Sequence, residues 1–273
     1  MAISEKELIR IIESIAPRKL EEEWDSSGPQ ISMNKKAVER VLVAMEITKS
    51  VIEEAKQRAA DYIVSHHPLI FKNIGVIDNN TITGNLIIDL IKSGISVYSA
   101  HTTFDSVFGG NNDYLAEIIG LLRVRKFRFS KHMGGQTNLG RVGELESAMS
   151  LREVCRMVKE KLDIDEEFRV VGDPDSKIHK VGVCAGAGGS LIETAVENGC
   201  SLFITGDIRY HEAQVAKENG LCLVDAGHYA TERIFAENFA EKLRKAAGVD
   251  AEIFTSQTDA NPFAKFNFGS VQN

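Results

Sequence analysis

The sequence predicts an α/β protein with a mostly parallel sheet, in which one α/β unit occurs twice. Three observations carry this expectation. Short apolar segments alternate with amphipathic helical ones, the order of βαβ units. Those segments are apolar at successive positions, as strands covered on both faces are. The order then recurs: 23 positions separate Val41 from Val64, and 23 separate Val181 from Ile204. The tails match as well, Ser99-Ala100-His101 against Asp225-Ala226-Gly227-His228. We read this as an internal duplication. The other reading is that any two βαβ stretches look alike.

The elements follow in order. Ser4 and Glu7 have the spacing of a capping box. Leu8, Ile11, Ile12 and Ile15 then share one helical face, and Pro17 ends the helix. A loop holding Trp24 and Asp25 follows. Val41 to Ala44 reads as a strand, Ser50 to Ala60 as a helix and Tyr62 to Ser65 as a strand. A helix from about Asn85 to Lys92 leads to the strand Ile95 to Ser99. Gly134, Gly135, Gly140 and Gly143 mark turns between the halves, and a helix spans about Leu151 to Leu162. The second half has strands at Val181 to Cys184, Leu202 to Thr205 and Leu221 to Val224. Helices lie between them at Leu191 to Asn198 and about Ala213 to Glu218. Glu232 is expected to start a last helix whose apolar face is Ile234, Phe235, Phe239 and Leu243.

Composition narrows the class. A chain of 273 residues, 43% hydrophobic and 26% charged, can bury a core as one large domain or two small ones. This excludes a disordered chain, a collagen-like repeat and a disulfide scaffold. The net charge of −7 opposes binding to nucleic acid or anionic membrane. Cys155, Cys184, Cys200 and Cys222 form no C-x-x-C pair, which points to a reducing compartment. The N-terminus lacks the layout of a signal peptide, and no apolar run reaches the roughly 20 residues that span a bilayer. A cytoplasmic protein is expected.

The chemistry gathers at strand ends, where sites form in open α/β sheets. Ser65 is followed by His66-His67-Pro68. Ser99-Ala100 leads to His101, with Asp105 four residues on. Val224-Asp225-Ala226-Gly227 leads to His228, with Glu232 four residues on, so these two can share a helical face. Imidazole and carboxylate donors together suit Zn, Mn, Fe or Ni. Adjacent histidines on extended backbone point opposite ways. Two metals, or a turn after Ser65, would let both ligate. His66, His67, Asp105, His228 and Glu232 make five ligands for two ions, with His101 spare. Such ions keep open positions, the mark of catalytic sites. Glu232 is a candidate bridge, and water between the ions would be activated near neutral pH. The plain alternative is that Asp105 caps a turn and Glu232 favours a helix N-terminus.

Other features read more simply. Gly186-Ala187-Gly188-Gly189-Ser190 lacks the Lys of a P-loop and is expected to be a tight turn rather than a phosphate cradle. Arg123, Arg125, Lys126, Arg128 and Lys131, interleaved with Phe127 and Phe129, are read as an amphipathic strand with a solvated face. The rival reading is a grip on phosphate or nucleic acid. Asp207 and His211 follow another strand end. They are expected to support the site or face a substrate, unless Asp207 merely caps the next helix.

Taken together, these motifs resemble the NIF3-like (DUF34) family, also called GTP cyclohydrolase 1 type 2 homologs. The resemblance runs from Trp24-Asp25 through Ser65-His66-His67-Pro68-Leu69-Ile70-Phe71 and Ser99-Ala100-His101-Thr102-Thr103-Phe104-Asp105. It continues through Thr205-Gly206-Asp207-Ile208-Arg209 and Asp225-Ala226-Gly227-His228-Tyr229-Ala230-Thr231-Glu232 to Asn261-Pro262-Phe263. Ser26, Pro29, Thr103 and Phe104 depart from the family pattern without touching a ligand position. The resemblance implies two interleaved α/β domains, 1–125 with 226–273 and 126–225, and no inserted mid-chain domain. It implies a dinuclear site of His66, His67, Asp105, His228 and Glu232. His67 and Asp105 would hold one divalent ion, His66 and His228 the other, and Glu232 would bridge. It further implies a ring-shaped homohexamer and a metal-dependent hydrolase acting on a small molecule, with GTP as the suggested substrate. His101 is a candidate proton shuttle. A non-enzymatic ring for metal binding, metal delivery or regulation is the alternative.

Overall fold

The apolar strands assemble into two sheets. The computed structural model describes residues 2–128, 137–165, 167–246, 248 and 250–264. In chain order the elements are α1 (Glu5–Ile15), β1 (Gly28–Ile31), β2 (Arg40–Ala44), α2 (Lys49–Gln57), β3 (Tyr62–Ser65), α3 (Ile82–Lys92), β4 (Ser96–Ser99), α4 (Thr102–Ser106) and α5 (Asn111–Ile119). Then come β5 (Leu122–Lys126), β6 (Arg141–Ser150), α6 (Leu151–Lys161), β7 (Arg169–Val171), β8 (Lys177–Ala187), α7 (Ile192–Glu197) and β9 (Leu202–Gly206). The chain closes with α8 (Tyr210–Glu218), β10 (Cys222–Asp225), α9 (His228–Glu232), α10 (Phe235–Lys245) and β11 (Glu252–Thr255).

The first sheet has the order β1-β4-β3-β2-β11 and the second β5-β6-β8-β9-β10-β7. Strands β11, β2, β3 and β4 run parallel, as do β8, β9 and β10. The chain leaves the first sheet after β4, builds the second, and returns as β11, so the two α/β units are interleaved. The two parallel cores share a register step: Val41 lies opposite Tyr62, and Val181 opposite Leu202.

Burial on both faces explains the continuous apolar strands. Val41 and Val43 pack with Leu8, Ile12, Phe235 and Phe239 on one face. Leu42 and Ala44 pack with Val51, Ile52 and Leu90 on the other. Each such side chain contributes about 1.5–3 kcal/mol when removed from water. The second sheet repeats this, with Val181, Val183 and Ile204 on one face and Phe203 and Leu223 on the other.

Local signals behave as expected, with one correction at the C-terminal helix. The Ser4 hydroxyl accepts the Glu7 N–H at 3.2 Å, and α1 ends before Pro17. A reciprocal capping box forms at Ser150 and Glu153, at the start of α6. The helix expected to begin at Glu232 is two helices. Arg233 and Ile234 have ψ of −18° and −17°, too shallow for the α ladder, and they separate α9 from α10. Glu232 therefore ends a short helix. As expected, the basic run forms a strand, the edge strand β5. Arg123 there is exposed and paired with Glu144, whereas Phe127 is buried. Phe129, Lys131, Gly134 and Gly135 lie outside the described residues.

Candidate metal centre

The carboxyl ends of the two parallel cores face each other, and this brings the site together. From the first sheet, β2 leads to Glu46, β3 to His66 and His67, and β4 to His101 and then Asp105 on α4. From the second, β8 ends over the site at Gly186, β9 leads to Asp207, and β10 leads to His228 and Glu232 on α9. His228 Nε2 lies 3.4 Å from His67 Nε2, although the two residues stand 161 positions apart.

The adjacent histidines both reach the site because the strand stops at Ser65. Beyond it the backbone bends, held by Ser65 Oγ donating to the His67 carbonyl at 2.8 Å and Ser99 Oγ donating to the His66 carbonyl at 2.7 Å. The two rings end 4.9 Å apart with planes 36° from each other. His66 is wholly buried and lies against Phe235, at 4.6 Å between ring centres.

Glu232 sits between two groups of donors. Its Oε2 lies 2.9 Å from His67 Nε2 and 2.8 Å from His228 Nε2. Its Oε1 lies 3.6 Å from His66 Nε2, which is 3.7 Å from Asp105 Oδ2. Donor atoms of His67, His228 and Glu232 lie within 4.8 Å of one another, and so do those of His66, Asp105 and Glu232. A third such group is His66, His67 and His101. This grouping differs from the partition implied by the family resemblance, in which His67 went with Asp105 and His66 with His228.

Each ring is held from outside through Nδ1. His66 Nδ1 bonds the Ala100 carbonyl at 3.1 Å. Glu46 holds His67 at 2.5 Å, Asp25 holds His101 at 2.6 Å and Asp207 holds His228 at 2.7 Å. Outer acceptors of this kind orient metal-binding imidazoles and fix which nitrogen faces inward. The expected supporting role of Asp207 is thus a contact to His228. His211 is exposed and stacks edge-on with Tyr210 instead. Glu46 escaped the sequence reading, and so did Asp25 as a partner of His101. The available signal for Glu46 was its place just past the end of β2, as His67 lies just past the end of β3.

The glycine-rich segment, expected as a tight turn, begins inside β8 at Gly186 and has a specific use. A Cβ on Gly186 would fall 2.0 Å from Glu232 Oε1 and 3.2 Å from His228 Nε2. The bare backbone is what admits the carboxylate.

The electrostatics are those of a site built for positive charge. Burial alone would raise the Glu232 pKa, but the neighbouring imidazoles of His66, His228 and His67 hold it well below the carboxylate range. Asp105, equally buried, is raised by burial despite His66. Burial would lower His67 and His228, yet their carboxylate partners outweigh it and raise them to about 10 and about 9. A divalent cation would have to displace those protons. His66 Nε2 and Asp105 Oδ1 are buried with no hydrogen-bond partner. Orphaned polar atoms are costly in an interior, and the two side chains approach each other, His66 Nε2 lying 3.7 Å from Asp105 Oδ2. Three nitrogens and two carboxylates with inward lone pairs fit a borderline divalent metal.

Fold and site therefore define a class, an interleaved α/β protein with a histidine–carboxylate cluster between two sheets. The chain belongs to the Duf34/NIF3 (NGG1p interacting factor 3) family, whose profile matches residues 3–262. It is 35% identical over 266 residues to a GTP cyclohydrolase 1 type 2 homolog of Clostridium acetobutylicum, covering 96% of this chain and 99% of that one. A Bacillus cereus protein related to NIF3 superposes with a TM-score of 0.89 at 26% identity, over 97% of this chain and all of the other. Reduced HcgD from Methanocaldococcus jannaschii superposes at 0.79 with 30% identity, over 94% and 99%.

Proposed function

We propose that this protein is a hydrolase that works with two divalent metal ions. The observation that carries the reading is Glu232, whose two oxygens face two separate donor groups. His66 and Asp105 would hold one ion, His67 and His228 the other, with Glu232 as the bridge. When bound, the ions would supply Lewis acidity and a nucleophile at neutral pH. The chain's own groups do the rest. Glu46, Asp207 and the Ala100 carbonyl orient the rings. His101 carries protons between solvent and the reacting atoms. GTP is the substrate suggested by the names of the relatives, with purine-ring opening and formate release as the reaction.

The remaining expectations belong to the same proposal. They are a homohexameric ring, a cytoplasmic location and domains at 1–125 with 226–273 and 126–225. No helix among the described residues is long and apolar enough to cross a membrane. All four cysteines are free, which suits a reducing compartment.

A second reading is metal binding or delivery without turnover. The partial exposure of the His67 and His228 side chains, 19% and 32%, favours it by leaving that half of the site open to exchange. Elemental analysis after reconstitution, beside Glu232→Ala, tests the centre. About two ions per chain, falling sharply in the variant, supports it. Metal-dependent formate release from GTP supports the hydrolase. Full metal loading without turnover across a broad panel supports delivery.

A further inference from the structure

The Trp24–Asp25 loop carries chemistry that can be read from hydrogen-bond bookkeeping. The Asp25 side chain is fully buried beside His101. Its Oδ1 accepts the Ser26 N–H at 2.7 Å and contacts His101 Nδ1 at 2.6 Å. Its Oδ2 accepts Ser27 Oγ at 2.7 Å, the Thr102 N–H at 3.1 Å and Thr102 Oγ1 at 2.5 Å.

The backbone N–H groups of Ser26 and Thr102 can only donate, one to each oxygen. Ser27 Oγ and Thr102 Oγ1 accept the His101 and Glu22 N–H groups at 3.2 and 3.1 Å, and each directs its own proton to Asp25. An ionised carboxylate can only accept. The fifth contact is a hydrogen bond only if His101 Nδ1 carries a proton.

We propose that Asp25 is a positioning residue that holds His101 as the Nδ1–H tautomer, so that the neutral ring offers a bare Nε2 lone pair to the metal centre. His101 is aimed correctly for this. Its ring centre lies 5.2 Å from those of both His66 and His67, and a ring nitrogen of each of the three is within 4.8 Å of the others. Trp24 closes the outer side, edge-on to His101 at 5.9 Å. The inference deepens the proton-carrying role given to His101, and so rests on that reading. The tautomer itself does not depend on catalysis.

Asp25→Asn should reverse the arrangement. Its amide nitrogen must take one of the two oxygen places. At Oδ2 it would oppose the Thr102 N–H and turn both hydroxyl protons away from their acceptor; at Oδ1 it opposes only the Ser26 N–H and can donate to a bare Nδ1. His101 is then driven to Nε2–H.

The test is long-range ¹H–¹⁵N correlation spectroscopy on histidine-labelled, metal-free protein, at a pH where the His101 ring is neutral. His101→Gln assigns the signal. The expected result is a protonated Nδ1 and a bare Nε2 in wild type, reversed in Asp25→Asn. With metal restored, Asp25→Asn keeps wild-type ions per chain while turnover falls ~100-fold or more. An Nε2–H tautomer in wild type overturns the proposal without touching the metal centre. A reversed tautomer with unchanged turnover overturns the positioning role. Loss of metal binding in wild type sinks the functional reading and leaves the tautomer standing. If Asp25→Asn does not fold, the wild-type spectrum still decides the assignment.

Discussion

Gly186 lies so close to Glu232 that a methyl group at its Cβ position would stand 2.0 Å from the carboxylate oxygen Oε1. It also has a φ of +66°, a conformation side chains disfavour. Gly186→Ala should therefore displace Glu232 and cost about 1–2 kcal/mol. The expected outcome is a large loss of bound metal with the fold retained. Ions per chain and thermal unfolding of the metal-free protein would check both parts.

Glu46 and Asp207 touch histidines from outside and offer no donor to the cluster. Glu46→Gln and Asp207→Asn should each weaken metal binding by roughly 10–100-fold, through loss of ring orientation. The Asp207 change should be the milder, since its side chain is 56% exposed against 37% for Glu46. Chelator competition would measure both. Wild-type affinity in Glu46→Gln would show that the outer carboxylate is idle.

Arg141 is buried where α4, which carries Asp105, meets the second sheet. Its guanidinium donates to the carbonyls of Asn138, Gly140, Ser106 and Val107 and to Asp113 Oδ2, at 2.8–3.2 Å. Arg141→Met would strand those acceptors and the Asp113 charge. A loss of about 3–5 kcal/mol is expected in denaturant unfolding.

Glu54 predicts the acid limb of stability. Burial would raise its pKa, but Ser256, the Gln257 N–H, Thr258 and Arg58 outweigh it and hold the group at about 2 instead of 4.5. Because the folded value is the lower one, this stabilisation is complete above pH 4.5 and is lost as pH falls towards 2. Glu54→Gln should cost about 1 kcal/mol at pH 7, allowing for solvent screening. Near pH 2 the difference from wild type should vanish. Unfolding curves across that range would show converging stabilities.

The family and the clustered histidine and acidic residues were legible because both are local. His66-His67-Pro68 follows an apolar strand, and His228 and Glu232 have helical spacing; neither fact needs a distant contact. The break at Arg233 was not legible, because the apolar face of Phe235, Phe239 and Leu243 continues in register through it. Glu46 and Asp25 were passed over for a related reason. An acidic residue in a loop looks solvated until the histidine it serves is placed beside it.

By itself, then, the sequence determined the strand–helix alternation, the doubled unit and the histidine and acidic residues just past strand ends, all carried by residue patterns of short range. The tertiary structure alone decided that two sheets meet at their carboxyl ends, which residues share each donor group, and which acid holds which imidazole. Those depend on distances between segments up to 161 positions apart, and such distances are set by how the two cores pack rather than by any local pattern.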